Sequence, residues 1–530
     1  MGWFMEEPLK ASIQHGSSFR PVVSFALVEE ELSLKTAICA ALAVGVSKLA
    51  YYSDWQELPL LLNVGGHTFD VEDIVYDIRS MKTKISFLAM NCDRISELPD
   101  SLLTQILSYL PTKDSVKTSL LSKRWEFLWL RVPVLDLKVS DFPDENYASF
   151  IDNFLEFNRN SRMRKFKLKY DEYTYDDDRL AGWVVTTVDR GIQHLDANGF
   201  ETDMCIREFM PQNIYKSNTL VSLVLVTVGI ENPEFVVSLP SLKKMHLEDV
   251  WYWDDPLVIE KVISGCPVLE DLVLIRAIDF CNLDDLRFLR VRSQTLKSFR
   301  LTFEYSMAGT YFSVEIDAPR LEYLNFNDNQ SDMIVVKNLN SLSMIDIDTE
   351  FNVKFGGSPL EPEDLRKRDI IREFLTGISC VRHMIISQRT LEVLDRYSKL
   401  GPIPRFDNLY RLQAAFSRSM LQLLLVFLES CPNLENLILD FAVSTEPEQD
   451  GLTYVPQCLL SSLECVEIRE LILGEGTGKK LVSYFLENSV VLQKLILRFK
   501  DSSKASEDSD IFKELRSFTK RSRSCEVIIH

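Results

Sequence analysis

The chain has 530 residues, 46% of them hydrophobic, enough to bury a large core. At roughly 100–200 residues per domain this allows about two to four domains, or one module plus a long repeat array. Lys and Arg number 59 against 78 Asp and Glu, a net charge of −19, and no basic stripe interrupts that balance, so a nucleic-acid partner is disfavoured. The ten cysteines form no C-x-x-C pair and no two histidines have zinc spacing, which points to free thiols in a reducing compartment.

In chain order, residues 1–89 form an N-terminal extension to which the sequence assigns no fold. The Met1 end lacks a basic segment followed by an apolar core, so no signal peptide is expected. An Ala-rich stretch from Leu32 to Leu49 has helical composition. Its most apolar window, Thr36 to Ser47, is too short to span a bilayer. These features together predict a soluble protein of the cytosol or nucleus with no membrane partner. Leu62-Asn63-Val64-Gly65-Gly66-His67-Thr68-Phe69 resembles the opening of a BTB-type tetramerisation domain, but the continuation departs from that pattern, and a glycine turn between two strands accounts for it better.

Residues 93–129 predict three short helices. Pro99 suits a first helical turn, and Asp100 places negative charge at the positive end of the helix dipole. Leu102, Leu103, Ile106, Leu107 and Leu110 recur at helical spacing, and Pro111 stops the helix. Thr112 is expected to cap a second helix from Lys113 to Leu120. Ser122 is a candidate cap for a third, which presents Trp125, Leu128 and Trp129. So short a segment cannot bury this much apolar surface alone. It docks on the rest of the chain as a helical cap, on a partner, or on both.

Asp93-Arg94-Ile95-Ser96, Leu98-Pro99-Asp100, Ile106-Leu107-Ser108, Leu110-Pro111-Thr112-Lys113 and Leu121-Ser122-Lys123-Arg124-Trp125 resemble, densely and in register, the F-box of a large plant family. Its members combine an F-box, leucine-rich repeats and a C-terminal FBD region. The resemblance implies that residues 91–137 bind the small Skp-type adaptor of a cullin–RING ubiquitin ligase. Leu98 and Pro99 carry over as the family's Leu-Pro contact. The apolar faces add Leu102, Ile106, Leu110, Val116 and Trp125 as expected adaptor contacts. Met90 sits where chains of that family often begin, so residues 1–89 are expected to be absent from typical members.

After Trp129, Val132, Val134, Leu135 and Leu137 suggest a first strand, and Tyr147 to Asn158 a helix with Phe150, Ile151, Phe154 and Leu155 on one side. Met163, Phe166 and Leu168 make the next strand, and Trp183 to Leu195 reads as a helix. An L-x-x-L-x-L pattern then recurs, from Leu220/Leu223/Leu225 to Leu342/Ile345/Ile347 and, after a gap, from Val381/Met384/Ile386 to Leu492/Leu495/Leu497. The common spacing of about 21–29 residues is that of leucine-rich repeats, whose stacked units share one core. Asp255, Pro256 and Gly265 are expected to cap, open and close a helix before Leu269, with Gly265 left-handed. The expected architecture is α/β: a three-helix F-box, a repeat solenoid of parallel strands and helices over 138–450, and a closing FBD segment over 451–530. Ile511 to Lys520 is expected to be a helix and Glu526 to Ile529 a last strand.

Little in the chain suggests chemistry. Gly474-Glu475-Gly476-Thr477-Gly478-Lys479-Lys480 lacks the spacing of a phosphate loop and fits a turn before a helix. The acidic run Asp176 to Asp178 could hold a cation but fits a solvated loop, and Cys266 and Cys431 fit small apolar residues at helix–strand corners. No catalytic, cofactor-binding or metal-binding residue is named, and no cofactor is expected. Trp251 and Trp253, just after a repeat strand, are possible target-binding anchors, or cover an apolar edge of the stack. The expectation is a non-catalytic subunit of an E3 ubiquitin ligase, holding an unknown target protein on its repeats and reaching the cullin through the adaptor. The alternative is an adaptor-binding scaffold that does not promote ubiquitin transfer.

Overall fold

The computed structural model describes residues 2–6, 13–17, 48–52, 86–90, 95, 98–142, 146–159, 162–169, 179–199, 209–253, 257–276, 288–303, 312–329, 331–353, 362–417, 420–440, 452–471, 476–500 and 518–530. They fall into two compact units, residues 1–109 with 118–129, and residues 110–117 with 130–530.

In the first unit, Gly2–Glu6 pairs antiparallel with Ile13–Ser17, and Lys48–Tyr52 pairs parallel with Ser86–Met90. Lys48 and Leu49, the last residues of the stretch read as helical, are therefore in a strand. The glycine motif at 62–69 lies outside the described residues. Helix Asp100–Leu107 follows, with Pro99 as its N-cap residue. Residues 118–120 form a 3₁₀ turn, and 121–128 continue as turns closed by backbone bonds from Trp125 N–H to the Ser122 carbonyl (2.9 Å) and from Leu128 N–H to the Trp125 carbonyl (3.2 Å). This run takes the place of the expected third helix.

The second unit is built on one sheet of fifteen strands. All its pairings are parallel, from Val134–Lys138 at one edge to Glu526–Ile529 at the other. Parallel pairing requires a crossover after each strand, and the repeat length supplies it. Strand residues alternate: the second and fourth point into the core, the first, third and fifth point outward. Leu223 and Leu225, Leu272 and Leu274, and Leu495 and Leu497 are all at most 2% exposed. Each such side chain contributes about 1.5–3 kcal/mol on burial, so every rung adds to the same core. Hydroxyls in the turn before a strand tie neighbouring rungs together. Thr219 Oγ1 donates to the Ile192 carbonyl (2.9 Å), Thr295 Oγ1 to that of Leu269 (2.8 Å) and Ser462 Oγ to that of Leu434 (3.0 Å).

Every repeat read from the leucine pattern is a rung. The gap before Val381 is filled by helix Pro362–Gly377, and strand Met344–Asp348 pairs directly with His383–Ile386, so no rung is missing there. One rung went unread. The stretch from Trp183 to Leu195 is not one helix, because helix Arg179–Asp189 ends at Gly191 and strand His194–Asn198 begins three residues later. Gly191 has φ +76, and the N–H groups of Gly191 and Ile192 reach back to the carbonyls of Val188 and Thr187, a left-handed helix stop that favours glycine. Gly265 departs from expectation. Its φ is −78, and what requires glycine is space, since a Cβ would lie 2.6 Å from the Val237 carbonyl oxygen. Asp255 and Pro256 lie outside the described residues.

The outer layer of the second unit is not uniformly helical. Strands Phe288–Arg292, Phe312–Asp317 and Ser331–Lys337 form a separate parallel sheet. It is bound by Glu315, which accepts from Arg290 (3.0 Å), Arg292 (3.1 Å) and Lys337 (3.1 Å), while Arg290 also reaches Glu260. Strands 465–471, 494–499 and 526–529 are the last three of the large sheet and form its terminal rungs.

Candidate protein-interaction surfaces

Helix Asp100–Leu107 is apolar on two sides. Leu103 and Leu107 are 0% and 1% exposed, whereas Leu102 and Ile106 are 45% and 43% exposed. Both pairs are i and i+4, so the helix has one buried stripe and one stripe facing solvent. The segment leading into it is pinned. The Arg124 guanidinium donates to the Leu98 carbonyl and pairs with Asp100 at 3.3 Å, which holds Leu98-Pro99-Asp100 against the later turns of the same unit. Leu98 is half-buried and Pro99 exposed.

Of the fifteen large apolar side chains exposed among the described residues, seven lie between 102 and 127, six of them in the first unit and Leu110 in the second. Besides Leu102, Ile106 and Leu110, these include Tyr109, Leu120, Leu121 and Phe127, which were not among the expected adaptor contacts. The doubled Leu120-Leu121, which no single helical stripe can bury, was the available signal. Trp125 departs from the expected contact set. At 5% exposure it is turned inward with Leu128, and it supports the surface instead of forming it.

Leu110 and Val116 belong to the second unit, where Leu110 is 37% exposed and Val116 half-buried. Helix Thr112–Lys117 packs there on the first strand of the large sheet. Thr112 was read as a helix cap, but its Oγ1 accepts from the Asp136 N–H (2.8 Å), and Lys113 pairs with Asp141 at 2.7 Å.

Trp251–Trp253 is a strand paired parallel with Gly229–Glu231 just beyond the large sheet. Trp251 is half-buried, with its ring 5.7 Å from that of Phe209, so it covers an apolar edge while keeping some exposure. The side chain of Trp253 lies outside the described residues.

Among the described residues no group of His, Cys, Asp and Glu is arranged to hold a metal ion. Among the described residues Cys266, Cys431, Cys458 and Cys525 are buried, and burial pushes Cys266 and Cys458 up to about 12 and raises Cys431 as well, the reverse of what a reactive thiolate needs. The glycine run 474–480 was expected to be a turn before a helix, but from Gly476 to Lys480 it is the start of helix Gly476–Asn488 itself. No described helix is long and apolar enough to cross a membrane.

Family models agree with this layout. The F-box domain matches residues 95–137, the LRR repeats of the FBD-associated F-box protein At5g56370 match 180–349, and FBD matches 452–497. The Arabidopsis thaliana F-box/FBD/LRR-repeat protein At2g26030 is 88% identical over 440 residues, covering 83% of this chain and 100% of the relative. The putative F-box/FBD/LRR-repeat protein At5g44950 is 60% identical over 444 residues, and the FBD-associated F-box protein At5g27750 is 48% identical over 461, both also from Arabidopsis thaliana. These two matches cover 83% and 82% of this chain and 100% and 98% of the relatives. With an F-box, a parallel-strand repeat stack and an FBD end in that order, the chain belongs to the plant F-box/FBD/LRR-repeat family.

Proposed function

We propose that this chain is the substrate-recognition subunit of an SCF-type E3 ubiquitin ligase, acting in the cytosol or nucleus. Leu98, Pro99, Leu102 and Ile106 contact a Skp-type adaptor, which links the chain to a cullin, and the repeat domain holds the target protein. The chain supplies no nucleophile. It works by tethering, which raises the effective concentration of target lysines near the ubiquitin-carrying enzyme.

The observation that carries this reading is the solvent-facing stripe of Leu102 and Ile106 beside the pinned Leu98-Pro99 segment, inside the stretch matched by the F-box model. Leaving these side chains exposed without a partner loses burial energy. Co-purification of the tagged chain tests it. Adaptor and cullin should both be recovered, and both should be lost from a folded Leu102→Glu/Ile106→Glu variant. Adaptor without cullin would replace the ligase reading with a scaffold, and recovery of neither would reject adaptor binding.

A further inference from the structure

The last rung of the large sheet differs from those inside it. Strand Glu526–Ile529 pairs on one side only, with Lys494–Phe499. Glu526 N–H donates to the Gln493 carbonyl (2.9 Å), His530 N–H to that of Leu497 (2.9 Å), and Phe499 N–H to that of His530 (3.3 Å), so residues of even number direct their backbone groups into the sheet. Those of odd number face the other way. Cys525 is met within the chain, where its N–H donates to the Ser522 carbonyl (3.3 Å) and its carbonyl accepts from Lys520 Nζ (2.9 Å). For Val527 and Ile529, no described residue bonds to the N–H or the C=O.

The side chains of this open stretch are also less covered. Leu495 and Leu497, the inward residues of the neighbouring strand, are 0% exposed, whereas Val527 and Ile529 in the same register are only half-buried. On the outward face Ile528 lies beside Ile496, both half-buried, between the exposed side chains of Glu526 and His530. Neither Lys nor Pro stands between 526 and 530 to blunt the edge, and an unblunted edge is a template for another strand.

We propose that a second copy of this chain closes the edge, its own last strand lying antiparallel to the first about a two-fold axis at Ile528. A two-fold contact sets the same edge on both sides, so the strand must complement itself, and at this register it does. The N–H and C=O of Val527 meet those of Ile529 of the second copy, and the reverse, while their side chains cover each other on the inward face. On the outward face Ile528 meets Ile528 of the second copy, joining two Ile496–Ile528 pairs into one aliphatic row, and Glu526 meets His530. An imidazole and a carboxylate already pair on this sheet, His246 with Glu248 at 2.8 Å. An axis at Val527 would instead set Ile529 against Cys525, whose groups are already met, and an axis at Ile529 would set Ile528 against His530. Of the other charges nearby, exposed Lys494 is the register neighbour of Glu526, and Arg498, beside His530, is held by Glu467 at 2.7 Å. Lys520, Arg521 and Arg523 precede the strand, outside the paired stretch.

The inference does not rest on the adaptor reading, and its test uses the full-length chain alone. Edges this short make a small interface, so a weak dimer is expected. Both copies carry −19, so sedimentation velocity is run as a concentration series at about 0.15 M salt, where the Debye length is about 8 Å. Monomer and dimer should exchange across the series. Val527→Pro keeps the bonds to Lys494–Phe499, because that N–H faces away from them, and should raise the dimer Kd about tenfold. Glu526→Lys and His530→Glu, each on an exposed side chain, should each weaken the dimer by a few-fold. An equimolar mixture of these two should recover it, since the introduced lysine then meets the introduced glutamate, a recovery that a merely misfolded variant does not give. A monomer at every concentration up to about 100 μM, a dimer unchanged in Val527→Pro, or no recovery in the mixture would overturn the proposal.

Discussion

Leu102→Ala/Ile106→Ala is the perturbation that probes the adaptor surface most directly, because the structure divides its cost. Full burial of a leucine or isoleucine side chain is worth about 1.5–3 kcal/mol. Leu102 and Ile106 are 45% and 43% exposed, so slightly over half of that is already realised within the chain. A partner covering the remainder gains about 1 kcal/mol from each, about 2 kcal/mol for the pair, or about 30-fold in Kd. The free chain loses a similar amount of stability and stays folded. Leu103→Ala makes the contrast, because Leu103 is 0% exposed: its loss costs about 2–5 kcal/mol of stability and removes no surface that a partner can reach. Urea denaturation measures the stability of each variant, and calorimetric titration with a Skp-type adaptor measures affinity at a temperature where all are folded. Adaptor affinity within about threefold of wild type in the folded double variant would refute the assignment of this stripe to the interface.

Thr112→Val keeps shape but removes the acceptor for the Asp136 N–H, and should cost about 1–2 kcal/mol and speed exchange of that amide; unchanged protection would show that the bond is not formed. Glu315→Gln leaves Arg290 and Arg292 with Glu260 as their remaining carboxylate partner, takes from Lys337 its partner carboxylate, and should cost about 2 kcal/mol in urea denaturation. Against the opposing effect of burial, hydrogen bonds from Arg292, Arg290 and Lys337 lower the Glu315 carboxyl from 4.5 to about 2. Its contribution is therefore complete above pH 4.5 and lost as pH falls toward 2, so the variant should flatten the acid side of the stability profile, and an equally steep profile would remove Glu315 as its source. Gly265→Ala places a Cβ 2.6 Å from the Val237 carbonyl oxygen and should lower the melting temperature by several degrees; no change would show that the backbone relaxes freely there.

The rungs were legible because each needs two inward apolar residues two apart, preceded by one more in the turn, and Leu220/Leu223/Leu225 has that signature in full. His194–Asn198 escaped because its inward residues, Leu195 and Ala197, continue the apolar pattern of the helix before it, and Ala197 is too small to announce a core position. The outer strands at 288–292, 312–317 and 331–337 escaped for another reason. Residues such as Val314 and Ile316 alternate with period two, but their partners lie about twenty residues away, and local pattern does not state pairing at that distance. On the adaptor surface, Leu102/Ile106 and Leu103/Leu107 have the same spacing, so the sequence could show two apolar stripes but not which one faces water. Trp125 was misplaced on the same ground.

The edges of the large sheet explain why some parts of this sequence are easier to recognise than others. An interior rung meets another rung on both sides, so it needs only apolar residues at its second and fourth positions, and Met, Phe, Ile, Val and Ala all serve there. An edge strand has backbone groups without a ladder partner and must be satisfied by particular side chains or covered. At the first edge the Asp136 N–H is met by Thr112 and Lys113 reaches Asp141, and both side chains belong to the Leu110-Pro111-Thr112-Lys113 motif. At the other end, the FBD match over 452–497 covers strand 465–471 and reaches into strand 494–499, next to the terminal strand Glu526–Ile529. The F-box match thus reaches the first strand of the sheet, the repeat match lies within it, and the FBD match reaches the two strands before the last. Stacking tolerates many apolar residues inside the sheet, whereas at the first edge a backbone N–H that would otherwise be open to another chain needs the particular hydroxyl that Thr112 supplies.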